Sequence, residues 1–169
     1  RPDYYLFDTD SKASRWPLSY EDRPYFEALA HVRADAEYRV VAEREGFLLL
    51  RHEIPDLGQR LGATFGDQIQ LVGYRVAQDQ APAGGALTLT LYWQAERQPD
   101  ADYTVFMHLV DEDRKRWGQQ DGYPTGNYLP TSAWEPGRLL RGEYAVPIAR
   151  EAPPGEYHLL VGLYNLATM

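Results

Sequence analysis

One stretch of the chain concentrates side chains able to bind a ligand or move a proton. Asp111, Glu112 and Asp113 stand together, Asp121 follows, and Trp117, Tyr123, Asn127, Tyr128, Thr131 and Trp134 lie among or just after them. Clustered carboxylates suit a calcium ion or an acid/base pair. The spacing lacks the glycine and the closing glutamate of a calcium loop, so a solvated hairpin tip is the better reading of Asp111–Asp113. Rings beside short polar side chains are what stacking plus hydroxyl hydrogen bonding of a sugar requires. Trp117, Asp121, Tyr123, Asn127, Tyr128 and Trp134 therefore form a candidate glycan-contact set. The competing reading folds these rings down onto the domain, and it is favoured for Trp134. His108 lies in an apolar run beside Phe106 and Val110, the setting of a hydrogen-bonded core histidine. No second histidine stands at metal spacing; His31, His52 and His158 are equally isolated. There is no G-x-S-x-G turn and no phosphate-binding loop. The residues point to binding, with no catalytic residue, metal or cofactor expected.

The elements that must position this set are strands. Leu87, Leu89, Leu91 and Trp93 alternate with Thr88, Thr90, Tyr92 and Gln94, the period of a strand with one buried and one wet face. Tyr103 to Val110 is apolar on both faces, which predicts a central strand covered above and below. Turn residues at Gln98–Asp102 and a charged reversal at Asp111–Lys115 make Ala86 to Asp121 three consecutive antiparallel strands. Ile69–Val76, Leu139–Ile148 and Tyr157–Tyr164 read as further strands. Asp121 to Gly137, rich in Pro, Gly and aromatics, is too irregular for a strand; a loop this long is functional or packs as an Ω-type loop.

Towards the amino end, Tyr4–Phe7 predicts a strand, Ser19 and Asp22 a helix start with Tyr25, Phe26, Leu29 and Val32 on one face to Ala36, and Tyr38–Arg51 a hairpin turning at Glu45-Gly46. The expected organisation is a small β-α-β-β unit over 1–52, a linker over 53–62 where Pro55 and Gly58 interrupt the pattern, and an antiparallel β-sandwich over 63–169. The fold class is mainly β, of jelly-roll or immunoglobulin-like type, with a small α/β unit in front.

Composition narrows the partners. Seventeen Lys and Arg against 25 Asp and Glu leave a net charge of −8, and no basic stripe exists to hold nucleic acid. Thirteen Tyr and 4 Trp against 5 Phe suit half-exposed sheet faces. Cysteine is absent, which excludes disulfides and thiolate metal sites. No apolar run approaches the roughly 20 residues of a membrane span. The chain opens at Arg1-Pro2 without an initiator Met and is expected to be a fragment or a mature product.

The succession FGDQIQLVGY, LTLTLYW, DYTVFMHLVD, QQDGYPTGNYLPTSAWEPG and PPGEYHLLVGLY, over about the last hundred residues, resembles the C-terminal sandwich domain that follows the membrane-spanning part of many bacterial glycosyltransferase-like proteins. Those are multi-spanning, polyprenyl-phosphate-sugar-dependent enzymes of the family 39-like kind and related predicted membrane proteins. PDYYLFD and the GFLLLR hairpin resemble the end of the segment that precedes this domain in some of them. The resemblance implies a non-catalytic accessory domain on the extracytoplasmic face of a bacterial membrane. Its parent would keep its active site upstream, so no family active-site residue maps onto this chain. The implied partners are a glycan and the upstream membrane segment; the alternative is a structural module with no ligand of its own. The family commonly continues with a further turn and strand. This sheet is therefore expected to be one strand short, with an exposed edge able to pair with another copy.

Overall fold

The computed structural model describes residues 4–8, 34–44, 47–52, 55–126 and 129–168, and the chain is mainly β. It divides into two compact units, Arg1–Asp56 and Leu57–Met169. The first holds β1 (Tyr4–Asp8), β2 (Tyr38–Arg44) and β3 (Phe47–His52) as an antiparallel sheet of order β1-β3-β2, with a bulge between Val40 and Ala42. The expected first strand and hairpin are therefore present. Nearly all of the helix expected over 19–36, the Glu45-Gly46 turn and His31 lie outside the described residues.

Among the described residues the second unit has seven strands: β4 (Gln59–Phe65), β5 (Ile69–Val76), β6 (Ala86–Ala95), β7 (Tyr103–Val110), β8 (Arg116–Gly122), β9 (Leu139–Pro147) and β10 (His158–Asn165). β4 takes up the last four residues of the expected linker, because Gln59 and Arg60 already pair with Tyr74 and Gly73. One antiparallel sheet runs β4-β5-β6-β9 and the other β10-β7-β8. β6 and β7 are consecutive but belong to different sheets. Both edges of β6 are taken, by β5 and β9, so the Gln98–Asp102 segment is a crossover and not the hairpin turn that three consecutive strands would need.

The alternation in the sequence becomes burial. Along β9, Leu140, Gly142, Tyr144 and Val146 point inward while their neighbours face out. On β6, Leu89, Leu91 and Trp93 are buried, as are Val105, Met107 and Leu109 on β7. The sheets meet where β8 approaches β9. There Gly118 bridges Ile148, Ala149 N–H donates to Trp117 O at 2.7 Å, and a side chain on Gly118 would strike the Pro147 carbonyl.

β7 and β8 join through a tight hairpin. Asp111 N–H donates to Lys115 O at 3.1 Å, Lys115 N–H to Asp111 Oδ1 at 2.8 Å and Arg114 N–H to Asp111 O at 3.0 Å. This places Arg114 at φ 61°, a left-handed conformation that a Cβ penalises by about 1–2 kcal/mol. Glycine removes that penalty but frees the unfolded chain. Arg114→Gly is expected to raise stability by up to about 1 kcal/mol in chemical denaturation, and a loss of stability would show that Arg114 earns its place through its side chain.

Candidate functional site

The described members of the sequence-derived set, Trp117, Asp121, Tyr123 and Trp134, do not share one surface. Trp134 is 0% exposed and closes the 3-10 turn Thr131–Ala133, so its ring is core and offers no face to a ligand. Trp117 is half-buried. Its indole N–H donates to Asp111 Oδ2 at 2.7 Å and Lys115 Nζ lies 3.9 Å from the ring centroid, which occupies both the polar handle and one face. The same bond from Trp117, with backbone donors beside it, holds the Asp111 carboxyl below its ordinary range. Tyr123 is 37% exposed in the loop after β8. Asn127 and Tyr128 lie outside the described residues. Among the described members of the set, only Asp121 belongs to a larger constellation.

That constellation is the outward face of β10-β7-β8. Strand register puts Phe106 opposite Gly162 on one side and Asp121 on the other, and His108 opposite Leu160 and Gln119. On that face Thr104 and Val110 are buried while Phe106 and His108 are half-buried, so β7 is central and its second face is covered only in part, short of the doubly covered strand its composition suggests. The Phe106 ring lies where a Cβ on Gly162 would be, so glycine lets it lean across β10. Its centroid is 4.9 Å from that of His108 and 6.4 Å from that of Tyr164, with interplanar angles of 37° and 34°. The three rings form a shallow, gently tilted row. His108 is thus half-buried in this row and is not a fully buried core residue.

Polar groups border the row along β8. Tyr164 O–H donates to Asp121 Oδ2 at 3.0 Å, and desolvation together with that bond raises the phenol above its ordinary pKa. Arg116 Nη1 stands 3.4 Å from His108 Nε2, and Gln119 and Asp121 are exposed. A carboxylate, an amide and a guanidinium present paired donors and acceptors in fixed planes, which suits neighbouring hydroxyls; the rings offer apolar faces to C–H groups. Sequence reading missed Phe106, His108 and Tyr164 because they sit on separate strands with no shared motif. Their one advance sign was a histidine amid apolar residues.

Elsewhere in the second unit a recess of about 150 Å³ is lined by Phe65, Gly66, Gln68, Ile69, Tyr103 and Leu163. That holds a side chain and falls below the roughly 300 Å³ at which small-molecule sites begin. Among the described residues no group of three or more His, Asp or Glu is arranged to hold a metal, and no helix is long and apolar enough to cross a membrane. Comparison with protein-family models, with curated proteins and with solved structures returns no match for this chain.

Proposed function

We propose that the second unit is a non-catalytic β-sandwich module of immunoglobulin-like type that holds glycan on the open face of its three-stranded sheet. Counting from β5, the second and fifth strands pair in one sheet (β6 with β9) and the third and sixth in the other (β7 with β10), the cross-connection of immunoglobulin-like sandwiches. The observation that carries the glycan reading is the ring row Tyr164–Phe106–His108, bordered by Asp121, Gln119 and Arg116 on an exposed sheet face. The order of motifs along the last hundred residues supports placing the module on the extracytoplasmic side of a bacterial membrane, as the soluble part of a glycosyltransferase-like protein. The site moves from the Asp121–Gly137 loop to the sheet face, with Asp121 common to both.

Isothermal titration calorimetry with a panel of soluble oligosaccharides tests this. Saturable binding is expected, weakened at least about tenfold, roughly 1.4 kcal/mol, by Phe106→Ala. Trp134→Phe, a core change, should leave the affinity unaltered. No heat across the panel from folded protein would reject the glycan reading in favour of an interaction module with no ligand of its own.

A further inference from the structure

We infer that the ring-row face selects a carboxylated sugar, a hexuronic acid residue, whose carboxylate is taken by Arg116 and His108 while its hydroxyls meet Gln119 and Asp121. This deepens the glycan reading and rests on it: it names the class of sugar and the residue that decides it.

Strand register separates the charges of the face. β8 sets Arg116 opposite Val110, Gln119 opposite His108 and Asp121 opposite Phe106. Arg116 and Asp121 therefore lie four β7 positions apart, roughly 13 Å at about 3.3 Å per residue. The face has a basic end and an acidic end, with an amide between them.

At the acidic end Asp121 Oδ2 accepts from Tyr164 O–H at 3.0 Å. An ionised carboxylate has further lone pairs to offer, so Asp121 can still accept from sugar hydroxyls, and its charge repels a second carboxylate. At the basic end the cation is uncommitted. Among the described residues Arg97 pairs with Asp67, Arg138 with Glu135 and Arg141 with Glu143, but no carboxylate forms an ion pair with Arg116. Acidic residues outnumber Lys and Arg 25 to 17, so Arg116 is unmatched despite an excess of possible partners. Lys115, its neighbour in the chain, is by contrast seated 3.9 Å over the Trp117 ring.

The contact between Arg116 and His108 is itself weak. At 3.4 Å from Nη1 to Nε2 it is longer than the usual separation of about 2.9–3.0 Å. In the Nε2–H tautomer both nitrogens are donors, and a carboxylate accepting from each bridges them with charge-assisted bonds. The ring spacing brings such a group into reach. A sugar ring stacked on Phe106 covers about the area of that ring, and the carboxyl carbon of a hexuronic acid stands one bond outside it. His108 is the next ring in the row, 4.9 Å away between centroids, with Arg116 beyond it. Turned the other way, the same sugar would bring its carboxylate to Asp121, so charge fixes the orientation as well as the choice of ligand.

The test is isothermal titration calorimetry on the whole chain with uronic acid oligomers of galacto, gluco and manno configuration. Each is compared with its methyl ester, which keeps the ring and hydroxyls and loses the charge. At least one acid is expected to bind about tenfold or more tighter than its ester. Arg116→Gln, a change at an exposed side chain, should bring that acid down to the affinity of the ester and leave the ester within about twofold. Arg116→Lys should restore part of the preference, because an ammonium keeps the charge without the planar fork. Phe106→Ala should weaken acid and ester alike. The inference is overturned if sugars bind but no acid exceeds its ester, or if an acid preference survives Arg116→Gln; either result leaves the glycan reading standing. Silence from every acid, ester and neutral oligosaccharide would remove the glycan reading and this inference together.

Discussion

Trp134→Ala is expected to cost the second unit about 3–5 kcal/mol, the range for emptying a buried aromatic site. Small domains are held by only about 5–15 kcal/mol, so the variant should lose a large fraction of its stability and unfold at much lower urea. The ring is fully buried, and the chain around it is pinned on both sides. Trp134 N–H donates to Thr131 O at 3.0 Å. Thr131, itself 0% exposed, accepts at Oγ1 from Tyr103 N–H at 2.8 Å and donates to Ala101 O at 2.7 Å. Ser132 N–H donates to Asp102 Oδ1 at 3.1 Å, and Thr125 O–H reaches Leu129 O at 2.9 Å within the loop. Because the backbone is tied to the start of β7, it cannot collapse into the space the indole leaves. The cavity contribution is therefore retained. Trp134→Phe keeps a ring and removes an indole N–H that has no acceptor among the described residues, and it should cost far less than the alanine change. Urea denaturation of the pair measures the difference. A loss below about 1 kcal/mol in Trp134→Ala would show that the ring is not a core element.

Gly142→Ala is expected to lose a comparable amount through the opposite defect. Gly142 lies on β9 opposite Leu91, and a Cβ there would land on the Pro124 carbonyl and the Tyr144 hydroxyl. Those two groups are bonded to each other, Tyr144 O–H donating to Pro124 O, and Tyr144 is buried, which pushes its phenol pKa well above the ordinary value. Neither obstacle is the loose end of an exposed side chain. Accommodating the methyl costs about 1–3 kcal/mol in overpacking, and separating the bond leaves a buried carbonyl without its donor at about 1–3 kcal/mol more. Tyr144→Phe alone should lose about 1–3 kcal/mol, since it orphans the same carbonyl. Combined with Gly142→Ala it should lose less than the sum of the two, because deleting the hydroxyl makes room for the methyl. Strict additivity in a double-mutant cycle would show that the two positions do not compete for one space.

The sequence alone determined what depends on near neighbours. Alternation of Leu and Thr over 87–91 sets a half-buried strand, and Asp111–Lys115 sets a hairpin. These follow from a period of two and from turn chemistry, properties that a short window of residues contains.

Tertiary structure decided the rest, because pairing and cover are set by residues far apart in the chain. Trp117 and Trp134 flank one irregular loop, yet the first is held at half-burial by Asp111 and Lys115 while the second is core. Tyr103 to Val110 has the composition of a strand covered on both sides, but β10 and β8 occupy its edges and leave Phe106 and His108 only half-buried. The candidate site draws on β7, β8 and β10, and its geometry depends on Gly162 yielding space to a ring from the next strand. No local pattern encodes that meeting. It exists only once the strand pairings have brought residues 106, 121 and 164 to one face.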